Sequence, residues 1–203
     1  MTKTPPFIKY MLLSAITAAA MLLSMASPAR AEHDHARPRE KIDLGVGMHA
    51  AWYKPAGYAD SFRGLGLQVR HPIDNRITFE ASGSYFEAQQ ASATNPYSVR
   101  AYPIQASLLG YLFPRSPVQL YGIAGVGVEG SDVHDDVLNR SFHYNRPGGH
   151  MGMGAQFSAG RLTFEADYRW MIYANPSTSA TAPPPPFEDR DARMFRAGMS
   201  LFF

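Results

Sequence analysis

Residues Ser131–Val137 read SDVHDDV, which places Asp132, His134, Asp135 and Asp136 within five positions. Carboxylate oxygens and an imidazole so close together are ligands for a divalent cation. Acids in a loop are more often simply solvated, and nothing else in the chain completes a ligand set, so no metal is expected. His33 and His35 near the N-terminus invite the same thought, and a polar tail is the commoner explanation. Nucleophilic catalysis would need a serine beside a base. Ser107, His49 and His150 share the parity of the charged residues described below, while His134 and His143 fall in a loop with Asp135 and Asp136. No motif joins any of these, so an enzyme, in the form of a lipid-modifying hydrolase, is the minor alternative and no cofactor is expected.

The stronger chemical signal is electrostatic. Arg70, Glu80, Glu129, Glu165, Asp167, Arg169 and Arg196 occur singly within segments of alternating residues, always on the polar parity. If the segments form one sheet, these charges project from one face. Facing an interior, they must pair or keep water. The reading is a structural ion-pair network, in which Asp167 and Arg196 stand at similar heights on neighbouring strands. A gated pore lined by the same residues is the alternative.

Eight segments must position them: 43–53, 63–70, 77–86, 100–112, 118–129, 150–157, 161–170 and 193–203. Each alternates with a period of two, the signature of a strand with unlike faces. In the last, Phe195, Ala197, Met199, Leu201 and Phe203 share one face, opposite Arg196, Gly198 and Ser200. Short connections (HPIDN, FPRSP, SAG) alternate with longer ones at 54–62, 87–99, 130–149 and 171–192, the last holding Pro183–Pro186. One rim should therefore carry tight turns and the other loops, as in outer-membrane barrels.

Alternation also fits a soluble barrel with its apolar face inward. Against that, the polar face is rich in glycine and mixed charge, and aromatics gather near strand ends. Trp52, Tyr85, Tyr102 and Trp170 fall toward the loop side, and Phe79, Phe157, Phe164 and Phe203 toward the turn side. Two aromatic bands around an aliphatic one suit two membrane interfaces. The expected fold is thus all-β, an eight-stranded antiparallel up-and-down transmembrane β-barrel spanning residues 42–203.

The N-terminus supplies a route. Lys3 and Lys9 precede an apolar run, Met11–Ala26, and then Ala29–Ala31 as an A-x-A site, so residues 1–31 read as a cleavable export signal and 32–41 as a flexible leader. The cut would remove Lys3, Lys9 and Arg30 but no acid, so 19 basic against 17 acidic residues become 16 against 17 and a net charge of +2 becomes −1. No basic surface for nucleic acid remains. The chain has no cysteine, so no disulfide framework supports it.

Val118–Gly130, Gly148–Phe157 with Leu162–Trp170, and the terminal Gly198–Phe203 resemble the small outer-membrane β-barrel family, which includes the OmpA membrane domain and OmpX-like proteins. The resemblance implies a bacterial outer-membrane location and a final aromatic, Phe203, that the barrel-assembly machinery reads. It also implies contact with outer-membrane lipid or lipopolysaccharide. The expected role is structural or surface-interacting, as a monomer, with a small-solute channel as the alternative.

Overall fold

The computed structural model describes residues 44–55, 61–91, 96–113, 116–135, 140–174 and 191–203. The signal and leader read at 1–41, with His33 and His35, lie outside them, as do Asp136 and Pro183–Pro186. Eight strands follow in order: β1 (Gly45–Pro55), β2 (Phe62–Pro72), β3 (Ile77–Ala91), β4 (Pro96–Tyr111), β5 (Val118–Asp135), β6 (Arg140–Ala159), β7 (Leu162–Tyr173) and β8 (Asp191–Phe202). Each pairs antiparallel with the next, and β8 returns to β1, so the sheet closes as an eight-stranded barrel. Closure leaves no strand edge unpaired through the body of the barrel.

The sidedness follows the sequence pattern. On β2, Arg63, Leu65 and Leu67 are exposed whereas Gly66, Gln68 and Arg70 are buried. Leu65 is 72% exposed, Val126 66%, Met153 61% and Leu201 42%. So broad a band of aliphatic side chains around a closed sheet is not a surface that water accommodates. It fits a hydrocarbon surrounding, where every backbone group must be satisfied within the wall.

The chain end is pinned by the wall itself. Phe202 N donates to Arg161 O at 2.9 Å and Phe203 N to Leu44 O at 3.1 Å. The terminal aromatic therefore completes the β7–β8–β1 seam, with its ring exposed on the outward face.

Two expected loops are instead largely strand. The connection read at 87–99 shrinks to 92–95, because β3 runs to Ala91 and β4 starts at Pro96. The connection read at 130–149 shrinks to 136–139, between Asp135 and Arg140. The physical reason is an inversion of the pattern. Within the apolar band the greasy parity faces out. Beyond it, Glu87, Arg100, His143 and Asp132 face out, while Phe86, Val99, Val133 and Tyr144 are buried inside. A search for apolar-out segments stops where the surrounding medium changes. Gly148, Gly149 and Pro147 favour a loop on sequence grounds, yet all three pair with β5 within β6.

The short turns are set by local chemistry. Between β2 and β3, Asp74 Oδ1 accepts from the backbone of Arg76 at 2.6 Å and Ile77 at 2.7 Å, an aspartate-capped turn. Between β6 and β7, Gly160 adopts φ +63°, where an L side chain is strained. Gly160→Ala is expected to lower the unfolding free energy by about 1 kcal/mol, with Gly160→Asn losing less. Urea unfolding in detergent micelles measures both.

Candidate functional site

The lower lumen is filled by a fused ion-pair network. Arg70 (β2), Glu80 (β3), Glu165, Asp167 and Arg169 (β7) and Arg196 (β8) project inward by strand parity, and register sets Arg70 opposite Glu80 and Asp167 opposite Arg196. Glu80 lies at the centre. Its Oε2 accepts from Arg70 Nη2 at 2.7 Å and Nε at 2.9 Å, and its Oε1 accepts from Arg169 Nη2 at 2.7 Å and Arg196 Nη2 at 3.0 Å. One carboxylate thus serves three guanidiniums. Asp167 accepts from Arg196 Nη2 at 2.7 Å and Arg169 Nε at 2.9 Å. Glu165 accepts from Arg70 and from Gln68.

Three cations meet three anions, so the charge closes. Neutral groups take up much of the remaining donor capacity: Gln105 and Ser107 on Arg169, at 2.9 and 3.2 Å, and Ser82 on Arg196, at 3.2 Å. Glu80 and Arg169 are fully buried. Planar guanidiniums suit this work because they bind carboxylates at two points and stay charged.

Of the seven charged residues that the sequence pattern singles out, six join here. Glu129 stands apart, on β5, where it accepts from Arg146 Nη2 at 2.6 Å, Ser131 Oγ at 3.0 Å and the Tyr53 hydroxyl. Arg146 also stacks on Tyr173, 4.7 Å from the ring centroid. Arg146 escapes the sequence reading because its segment reads as loop. It lies on the inward parity of His150, four residues before it on β6.

Above Glu129 the lumen changes character. Tyr53, Phe62, Phe86, Val99, Val133 and Met194 form a buried apolar cluster with their neighbours. The expectation from sequence is a narrow polar lumen. The inverted face pattern of the strand extensions turns these side chains inward instead, so the loop-side mouth is closed by packing.

The aromatic assignments divide. Trp52, Tyr85, Trp170, Phe157 and Phe203 are exposed on the outward face. Tyr102 is only 3% exposed, which corrects its place in the girdle. Its ring lies across Gly130, where a Cβ would fall 2.6 Å from the ring, and its hydroxyl donates to Asp132. The missing side chain at Gly130 lets the tyrosine lie flat on the wall.

The residues considered for chemistry are held elsewhere. Asp132 also hydrogen-bonds His143 Nδ1 at 2.6 Å, and His134 Nδ1 meets Ser141 Oγ at 2.9 Å. Beside them, Glu87 accepts from Arg100 Nε at 3.2 Å, and that bond raises the Arg100 guanidinium above its ordinary value. Among the described residues, two Ser–His contacts lie in the lumen, Ser84 with His49 and Ser107 with His150, each at 2.9 Å. All four residues are buried, and Ser107 Oγ already accepts from Arg169. Hydroxyls buried in this way are out of a substrate's reach.

The comparisons agree with this architecture. Residues 15–203 match the outer membrane protein beta-barrel domain. Neisserial surface protein A superposes with a TM-score of 0.57 at 15% identity, over 80% of this chain and 97% of that one. Ail, the attachment invasion locus protein of Yersinia pestis, gives 0.52 at 18%, over 79% and 97%. A major outer membrane protein from Thermus thermophilus gives 0.59 at 12%, over 80% and 100%. No curated protein matches the chain in sequence.

Proposed function

Because the chain belongs to the outer membrane protein beta-barrel domain family, we propose that it is a non-enzymatic, non-conducting barrel that supports the envelope or meets partners through its surface. The filled lumen carries this reading. Eight strands enclose little more than their own side chains, and here three arginines and three acids cross that space under an apolar cap. A solute would have to break the network or displace the cap to pass.

Export uses the signal read at residues 1–31. The assembly machinery reads the strand ending at Phe203, whose ring remains accessible. Lipid and lipopolysaccharide contact the outward band, and the protein acts as a monomer. The polar outward face of β3–β6, bearing Glu87, Arg100, Asp132 and His143, rises beyond that band and is the surface for interaction. The names of two structural neighbours, a surface protein and an attachment invasion protein, agree with such a role.

Planar-bilayer recordings test the reading. The folded protein is expected to insert without stable current steps at either polarity. Reproducible ohmic steps would establish a pore and overturn the plug.

A further inference from the structure

Two imidazoles cross the inner wall of the barrel in the same way. His49 on β1 lies opposite Gly66 on β2, which lies opposite Ser84 on β3 in turn. His150 on β6 lies opposite Gly125 on β5, which lies opposite Ser107 on β4. Each imidazole reaches over the glycine of the middle strand, and its Nε2 meets the serine Oγ beyond at 2.9 Å. The glycines make this possible. A Cβ at Gly66 would collide with His49 Nε2, and one at Gly125 would fall 2.7 Å from His150 Nε2. Each link skips a strand, so β1 is tied to β3 and β6 to β4 in addition to the sheet ladder.

Both rings are buried and face the ion-pair network. Around His49 stand Glu80 on β3, Gln68 on β2, Arg196 on β8 and Asp167 on β7. Around His150 stand the same Glu80, Asp167 and Arg196. Met171 of β7 lies directly opposite it, and Tyr173 lines the same space. Arg169 joins through Ser107, whose Oγ it meets at 3.2 Å. From β5, Gly125 and Gly127 bring no side chain.

The network's charge is already closed, three guanidiniums against three carboxylates. A proton on either imidazole adds a fourth cation and a proton on both adds a fifth, with no acid of the network left to answer them. Buried charge without a partner is costly. At Ser107 the conflict is local. Its oxygen accepts from Arg169, which leaves its own proton for His150 Nε2. With a proton on that nitrogen, imidazolium and guanidinium would both donate into one serine oxygen.

We propose that His49 and His150 form an acid-operated latch on the lumen. Neutral, they fasten the wall to itself across three strands on either side of the β3–β4 hairpin. Protonated, they release the serines and load the network with unmatched positive charge. The latch rests on the filled-lumen reading above and gives the condition under which the plug loosens. Its sign follows from linkage. An unfolded chain takes up a proton at each imidazole below a pH of about 6.5, and the balanced lumen has no acceptor for it. Stability is therefore kept above that pH and lost as the pH falls. Between pH 7.5 and 5.0, each proton excluded from the folded barrel shifts the folding equilibrium about 30-fold.

Urea unfolding of the barrel in detergent micelles at pH 7.5 and 5.0 tests this, a range in which ordinary carboxylates stay ionised. The folding equilibrium constant is expected to fall at least a hundredfold in the wild type and less than fivefold in H49Q/H150Q. H71Q/H134Q/H143Q removes the histidines outside the lumen among the described residues and should respond as the wild type does. The latch is overturned if the wild-type constant changes less than fivefold, if H49Q/H150Q keeps the wild-type response, or if H71Q/H134Q/H143Q loses it. Should H49Q/H150Q fail to give the heat-shifted band of a folded barrel, H49Q and H150Q are read singly. Each should then cut the response at least tenfold, and either one keeping it in full overturns the latch. Current steps at pH 7.5 in the bilayer assay would overturn the filled lumen whatever the pH response, so the two failures are distinguishable.

Discussion

Glu80→Ala is expected to lower the unfolding free energy of the folded barrel by about 3–5 kcal/mol, the cost of removing one partner from a buried ionic network. The size follows from the geometry. Glu80 is fully buried and accepts from Arg70, Arg169 and Arg196, so its loss strands guanidinium charge from three strands at once. Asp167 and Glu165 remain, leaving two acids against three cations in a space closed to bulk water. Removing an acid from the exposed Glu87–Arg100 pair should cost under about 1 kcal/mol, as solvated ion pairs do. Unfolding by guanidinium chloride in detergent micelles, followed by heat-shifted gel mobility, measures both. A Glu80→Ala midpoint within error of the wild type would show that the network does not hold the barrel together. Glu80→Gln separates charge from shape: it keeps an acceptor at the centre but removes the negative charge, and it should fall between the two.

Much of this is legible in the sequence, for a specific reason. Inside the apolar band the wall separates two media of opposite polarity, so every second residue declares its side. The parity of Arg70, Glu80, Asp167 and Arg196 therefore carries straight into the lumen, and the register supplies the opposing pairs. What the pattern hides lies where that contrast reverses. Above the band both faces of β3–β6 meet polar surroundings or protein, and residues such as Val133 and Tyr144 turn inward to build the cap. Arg146 vanishes into an apparent loop with them. Tyr102 fails for a different reason: its parity is outward, but Gly130 beside it and Asp132 above it draw the ring onto the wall. Parity alone does not register a neighbour's missing side chain.

That reversal of polarity also gives the second large effect. Met153→Arg should destabilise the barrel in lipid by about 2–4 kcal/mol, the cost of an outward-facing cation near the bilayer midplane. Met153 is 61% exposed and lies opposite Gly122 and Tyr168, between the Phe157 and Trp170 ends of the band. No inward partner is within reach, since its parity points away from Glu165 and Asp167. The matched change beyond the band is Ser141→Arg, outward on the β6 extension, where water solvates the new charge and the expected change is below about 0.5 kcal/mol. Urea unfolding of both variants in phospholipid vesicles makes the comparison. If the two cost the same, hydrocarbon does not wet the side of the sheet bearing Met153, and the outward band must instead be covered by protein. If Met153→Arg alone is costly, the same closed sheet carries two solvents on one face, with the change between them set at the level of Trp52 and Trp170.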